Sequence, residues 1–476
     1  MLKCYLPFQQ ATVVESGAVY PCICPSWLKG DGIVGNTREE RLHEIWNGER
    51  LQRIRGLFLD DRYDELCRSE ICPYLRGEEV APAPDAEVLA AVEARQTVLD
   101  YGIKTLQHDI DRGCNLTCTM CREEKISPEA GNVARGLRDV DDAMALGSLD
   151  AVTWSGAGEV IAMAPIVREM EGDRFSSRGI ELTIITNLTG FNRKMWDRIG
   201  HNAIRLTVSA DGCSPEVYEP IRVGARWETV LENLRMAGEL RRAGRIRNLV
   251  WNYTVLKQNI CDIGRAINLA EEIGVDKIRI NAQLGSLSRT GGNMFEEFDL
   301  DALDALYLEL ERADAFNRPF VLVSTTGMRD RRYRTPAYRL EMAEHIYNRR
   351  GQADRDPRAS IWLHSSALRI LHRLMADLDA GLVDISEPPS QASLAFLRHL
   401  VDPRRAQWIT DWEGAFAQGL LMTDWRSLQA TIEDERRVIG RLPQLMSRLQ
   451  RRRSLPDAGE PPHTLAHENG PDVIIR

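Results

Sequence analysis

The sequence predicts an α/β fold: a partial (β/α)6 barrel, preceded by a small irregular cysteine-rich domain and followed by a helical extension. Three observations carry this. Apolar and β-branched runs alternate with amphipathic stretches from 104 to 281. Eight of the ten cysteines fall before residue 122. Beyond 290 the pattern is mostly helical. Strand–helix alternation of this regularity implies parallel strands with helical crossovers, and chemistry at the C-terminal strand ends.

In order along the chain, the segment 1–77 is rich in Gly and Pro and carries Cys4, Cys22, Cys24, Cys67 and Cys72. The Pro- and Ala-containing stretch 78–87 reads as a linker. A helix follows over 86–99 with Asp85 as its N-cap, so linker and helix together occupy 78–100. The barrel domain is expected at 101–290, with strands at Lys104–Ile110, Ala151–Ser155, Ile180–Asn187, Ile204–Ser209, Leu249–Val255 and Lys277–Asn281. Helical crossovers include Trp227–Glu239 and Ile260–Glu272. The extension, 291–455, holds one strand at Phe320–Ser324 and helices such as Ala337–Asn348 and Ser360–Leu378, expected to cover the barrel mouth and set specificity. Residues 456–476 read as a flexible tail.

Bulk properties narrow the class. A chain of 476 residues is long enough for roughly two to four domains. The 43% hydrophobic and 28% charged shares are those of an ordinary soluble protein. No apolar run is long enough to cross a bilayer, and the start, MLKCYLPFQQ, does not read as a signal peptide, so a cytoplasmic protein is expected. A net charge of −9 argues against a broad nucleic-acid surface. Two basic stretches, Arg329 to Arg339 and Arg448 to Arg453, read as solvated helix faces or tail. The absence of cysteine after Cys261 does not suit a secreted disulfide framework, so the clustered cysteines point to metal.

Cys114, Cys118 and Cys121 follow the first barrel strand in DRGCNLTCTMCRE, a C-x3-C-x2-C spacing. Three thiolates on one tight loop can hold three irons of a 4Fe–4S cluster and leave the fourth open. A zinc site or three core cysteines is the bland alternative. The spacing and its place resemble the radical S-adenosylmethionine (SAM) superfamily. That resemblance implies a TIM-like radical SAM barrel, a SAM-binding 4Fe–4S cluster on these cysteines, cleavage of SAM to a 5′-deoxyadenosyl radical, and an external reductant such as flavodoxin or ferredoxin. Met120 stands where the family usually has an aromatic residue, and would cover the adenine side. The second strand ends in TWSGAGEVIAM, where Gly156, Gly158 and Glu159 resemble the segment that holds the SAM amino group. The third ends in IITNLTGFN, similar to the family's Thr-Asn-Gly strand end. In RLTVSADGCSPEVYEPIRVG, Ser209 would reach the SAM ribose and Arg222 its carboxylate. Taken singly, these segments also read as strand-end turns or a surface ion pair. Cys213 and Cys261 read as buried small residues.

The N-terminal segment resembles the SPASM or twitch-type auxiliary-cluster domain through C-x12-G-x4-C (Cys4, Gly17, Cys22), Gly35-Asn36, Glu44-Ile45-Trp46-Asn47 and a closing pair, Cys67 and Cys72, before Pro73. The resemblance implies a second 4Fe–4S cluster on Cys4, Cys22, Cys67 and Cys72, with Cys24 the alternative to Cys22, acting as an electron acceptor. In relatives the domain follows the barrel; here it precedes it, with five cysteines instead of seven. A tetrathiolate zinc site is the rival. The substrate is expected to be a peptide or a sugar or other small metabolite, the latter making the chain a sugar or aminocyclitol dehydrogenase or epimerase. A noncatalytic metal-binding interaction protein is the reading from another class.

Overall fold

All six strands expected between 104 and 281 form, each within a few residues of its expected ends. The computed structural model describes residues 2–30, 32–69, 72, 74–75, 81–154, 158–282, 300–324, 336–337, 339–340, 343–344, 357–381, 390–401 and 425–451. In chain order the strands are β1 (Gln10–Val13), β2 (Ala18–Tyr20), β3 (Gly35–Asn36), β4 (Thr105–His108), β5 (Ala151–Trp154), β6 (Glu181–Thr186), β7 (Ala203–Ser209), β8 (Ile246–Val255), β9 (Lys277–Ala282) and β10 (Val321–Ser324). They make one sheet in the order β10-β9-β8-β7-β6-β5-β4-β1-β2-β3. Every pair from β10 to β1 is parallel, whereas β1–β2 and β2–β3 are antiparallel. This is the partial parallel barrel the alternation implied, with β10 on one edge and an N-terminal meander on the other.

Burial alternates along the strands, which separates the two faces of the sheet. Leu249, Trp251, Tyr253 and Val255 of β8 are fully buried beneath the crossover helices, while Asn252 and Thr254 are half-buried on the inner face. Helix Ile263–Ile273 shows why it packs there: its buried residues, Ile263, Ala266, Ile267, Ala270 and Ile273, recur every three or four positions. Each of the isoleucines contributes about 1.5–3 kcal/mol when fully buried. Asp85 caps helix Ala86–Glu93 as its sequence position implied, accepting the Val88 N–H at 2.9 Å.

The N-terminal segment is less irregular than its composition suggests. β1 docks in parallel on β4, and helices Leu42–Trp46 and Glu49–Leu59 tie it further to the chain ahead of β4. The Trp46 indole donates to the Tyr101 carbonyl at 2.9 Å, and Asn47 exchanges two hydrogen bonds with Leu99 at 2.9 and 3.0 Å. The Trp-Asn pair of the resemblance thus anchors this segment to the barrel. Gly17 adopts φ +87°, and a Cβ there would lie 2.5 Å from Asn36 Oδ1, so that mark too is architectural.

The chain divides into two compact units, Met1–Arg329 and Asp330–Arg476. The second is built on helices Pro357–Asp379, Gln391–Val401 and Trp425–Arg451. Residues 337, 339–340 and 343–344 of the helix expected at Ala337–Asn348 are described and helical. Arg339 is not solvated as its basic stretch suggested: it is buried and ion-paired to Asp377 at 2.5 Å. The rest of that stretch before residue 336, and the tail at 456–476, lie outside the described residues. No helix among the described residues is long and apolar enough to cross a membrane.

Candidate active site

The loop after β4 carries three thiols and is held from both sides. Asp111 accepts the Gly113 N–H at 2.6 Å, and the Cys114 N–H donates to the Ile126 carbonyl at 2.8 Å. Farther along, the Thr117 and Thr119 N–H groups each donate at 3.0 Å, to the carbonyls of Val223 and Ile221. These last bonds flank Arg222 and set it against the loop. Its Nη1 lies 3.7 Å from Cys118 Sγ, while its Nε donates to Asp211 Oδ2 at 2.6 Å. Asp211 is fully buried and its other oxygen accepts the Thr254 N–H at 2.7 Å, so the guanidinium is fixed by β8 as well. Burial raises the Cys118 thiol above its usual range, and the Arg222 charge opposes that.

Glu159 is almost fully buried and satisfied. It accepts the Thr186 hydroxyl at 2.8 Å and the Asn187 N–H at 2.6 Å, and its own N–H donates to the Gly113 carbonyl at 2.8 Å. Burial raises its carboxyl above the usual range, against these donors. Gly158 sits where a Cβ would lie 2.3 Å from the Gly113 carbonyl oxygen and 2.4 Å from that of Asp111. Glycine there is required by the packing of the cysteine loop on the β5 end. The third strand end is strained: Leu188 holds φ +65° where the resembling segment has glycine, and its side chain is fully buried.

Cys114, Cys118, Cys121, Met120, Gly158, Glu159, Ser209 and Arg222 all line one cleft of about 390 Å³ at the C-terminal strand ends. Gly156 lies outside the described residues. Met120, which lines the cleft, packs against Ile221 and Leu256. Ile185, Thr186, Asn187, Arg122 and Thr254 also line the cleft. Thr186 and Asn187 were signalled by the third strand end; Thr254 was signalled only by its place at the end of β8. The donor set suits the cluster and SAM: three thiols on one loop, a fixed cation beside them, and polar strand ends around an open cleft.

The second thiol site lies in the N-terminal segment. Cys4, Cys22, Cys67 and Cys72, all buried, line one cavity with Leu6, Trp27, Leu28 and Phe58. Cys24 is half-buried and is not among its lining residues. Burial pushes the Cys4 thiol up to about 11 and Cys67 up to about 12, and raises Cys22 further. The thiols also raise one another, and the Leu6 and Cys24 N–H groups point at Cys4 and Cys22. Buried sulfurs that repel as anions and already receive N–H donors fit a cationic iron–sulfur core. None of the ten cysteines forms a disulfide. Contrary to the sequence reading, Cys261 is exposed and Cys213 is half-buried, though burial does raise the Cys213 thiol.

Comparison with known proteins identifies two domains. A family profile described as the Radical SAM superfamily matches residues 110–270, and one described as an iron–sulfur cluster-binding domain, SPASM, matches residues 4–73. No curated protein matches. Among solved structures, Streptococcus suis SuiB bound to S-adenosylmethionine is similar at 16% identity and a TM-score of 0.36, over 60% of this chain and 63% of that one. An anSMEcpe structure with bound AdoMet and a Cp18Cys peptide is similar at 16% identity and a TM-score of 0.34, over 46% of this chain and 62% of that one.

Proposed function

From a chain that belongs to the radical SAM superfamily and carries an N-terminal SPASM domain, we propose a radical SAM oxidoreductase acting on a peptide or a sugar-like small metabolite. Membership brings 4Fe–4S clusters and SAM as cofactors, and makes the chain an enzyme. We assign the SAM-binding cluster to Cys114, Cys118 and Cys121, and the auxiliary cluster to Cys4, Cys22, Cys67 and Cys72. The observation that carries this reading is the cleft itself, which gathers the three loop thiols with Glu159 from beyond β5, Ser209 from the end of β7 and Arg222 from the C-terminus of helix Pro215–Ile221.

When bound, the cofactors supply reductive cleavage of SAM, a carbon radical able to abstract hydrogen from the substrate, and an auxiliary electron acceptor for its oxidation. The chain's own residues hold and orient. Arg222, fixed by Asp211, places a cation where a carboxylate and a thiolate can share it. Glu159 holds the Thr186–Asn187 strand end in place and offers a carboxylate edge toward an ammonium. Ser209 and Thr254 present hydroxyls to a ribose, and Met120 with Ile221 and Leu256 excludes water from one side. An external reductant of the flavodoxin or ferredoxin kind completes the reading.

The test is anaerobic reconstitution with iron and sulfide, reduction with dithionite in the presence of SAM, and chromatography for 5′-deoxyadenosine. Formation by the wild type and loss in Cys118→Ala supports the assignment. Zinc in place of iron, with no cleavage, sinks it.

A further inference from the structure

Strand register carries the sheet face that lines the cleft beyond the cofactor residues, across β8 and β9. Directly paired residues share a face, and two rows follow. Ile185, Thr207, Val250 and Lys277 form one; Ser209, Asn252 and Arg279 form the next. The first member of each row, Ile185 or Ser209, lines the cleft. The alternate residues of the same strands, Leu206, Val208, Trp251, Ile278 and Ile280, are fully buried on the helix side, so the rows lie on the inner face.

On β9, before the row passes to Leu322 of β10, that face carries two cations with no acid of their own. Lys277 and Arg279 are half-buried, and among the described residues neither forms an ion pair. The neighbouring arginines are compensated: Arg205 and Arg247 by Glu181, Arg241 by Asp276, and Arg222 by Asp211. Between Ser209 and Arg279, the Asn252 side-chain oxygen is buried without a hydrogen-bond partner. In a chain of net charge −9, two uncompensated cations beside an orphaned amide, partly withdrawn from water, are costly unless a ligand completes them. Arg279 stands two strands from Ser209, about 10 Å by strand spacing, a span that a small polar molecule can bridge.

We propose that Arg279, with Lys277 and Asn252, binds an oxyanion of the substrate, a carboxylate or a phosphate, and thereby fixes which carbon faces the cofactor. The guanidinium fork matches either oxyanion, and Asn252 accepts from a hydroxyl or N–H beside it. This rests on the radical SAM reading and narrows its substrate to an anionic one.

The experiment is calorimetric titration of the reconstituted, SAM-loaded protein with malate and with glycerol phosphate. Each probe carries a hydroxyl next to an oxyanion, and the pair separates the carboxylate source from the phosphate source. Wild type is expected to bind at least one, more weakly as salt is raised. Arg279→Gln loses about ten-fold in that affinity or more, with iron content and SAM affinity unchanged. In parallel, phenylglyoxal labelling of wild-type Arg279, mapped by mass spectrometry, is slowed by the same probe, a readout that needs no variant. Binding of neither probe by an iron- and SAM-loaded wild type overturns the proposal. So does equal binding by Arg279→Gln, and so does a parallel loss of SAM affinity, which would place Arg279 in the cofactor's site. Failure of the wild type to take up iron and cleave SAM would instead overturn the radical SAM reading.

Discussion

Replacing Asp211 by Asn keeps the shape of the side chain and removes its charge. The new amide can still accept the Thr254 N–H, now 2.7 Å from Oδ1, but its NH₂ then faces the Arg222 Nε that currently donates to Oδ2 at 2.6 Å. Arg222 is left a buried cation facing a donor, next to Cys118. Breaking a buried ion pair from one side costs about 3–5 kcal/mol. The unit Met1–Arg329 has an unfolding entropy of roughly 0.7 kcal/mol/K, so the apoprotein should melt about 4–7 °C lower. Anaerobic thermal unfolding measures this, and calorimetry of the reconstituted protein should show weaker SAM binding in the same variant. Arg222→Met in the Asp211→Asn background removes the stranded charge and should recover part of the stability, a coupling on the order of 1–3 kcal/mol. An Asp211→Asn protein melting within a degree of wild type, or a double variant no better than the single one, would refute the view that this pair organises the cleft.

Reconstituted Cys22→Ser should hold about four irons in place of about eight, while Cys24→Ser holds the full complement; iron analysis reversing that order would exchange their roles. Gly158→Ala forces a methyl against two backbone oxygens at 2.3 and 2.4 Å. It should cost on the order of 1–3 kcal/mol and displace the cysteine loop, so SAM affinity falls with melting temperature; unchanged SAM binding would contradict the tight seat described for that loop. Burial pushes the Asp142 carboxyl up, but hydrogen bonds from Arg41 and the Leu42 N–H outweigh it and hold the group below its ordinary 3.8. A carboxyl whose folded pKa lies below its unfolded one stabilises fully above about pH 4, and that contribution fades as pH falls through the folded value. Urea unfolding from roughly pH 5 to 3 should therefore show a steeper loss in wild type than in Asp142→Asn; parallel curves would mean that this contact does not hold helix Leu42–Trp46 to helix Ala130–Ala145.

The barrel was legible because parallel strands buried under helices must be apolar on alternate residues, and the runs at β4 to β9 say so directly. The three loop thiols were legible because their spacing is local. Arg222 was legible as a residue but not as a geometry: only the fold reveals that Asp211, read also as part of a turn, is its buried counter-ion. Gly158 was visible for one reason and is needed for another, the close approach of the Asp111 and Gly113 backbone. The meander β1–β3 escaped because strands of four, three and two residues carry too few positions to show a period. The inner-face row of Ser209, Asn252 and Arg279 could not be seen at all, since it depends on register between strands far apart in sequence.

One of the two departures from the resemblance is chain order, since the segment matched as SPASM precedes the barrel here. The sheet removes much of its force. β1 pairs with β4 over four residues, from Gln10 with Thr105 to Val13 with His108, so the N-terminal segment is an edge of the barrel and not a module on a tether. Gln107, on the inner face of β4, donates to the Ile23 carbonyl at 3.2 Å, and Ile23 lies between Cys22 and Cys24. The loop that carries Cys22 and Cys24 is therefore bonded to a strand whose next loop carries Cys114, Cys118 and Cys121. Two cysteine-bearing loops that share one strand edge keep a fixed relation whichever is encoded first. On the proposed assignment, an auxiliary cluster that accepts electrons needs that fixed relation from the fold, and β1 on β4 would provide it.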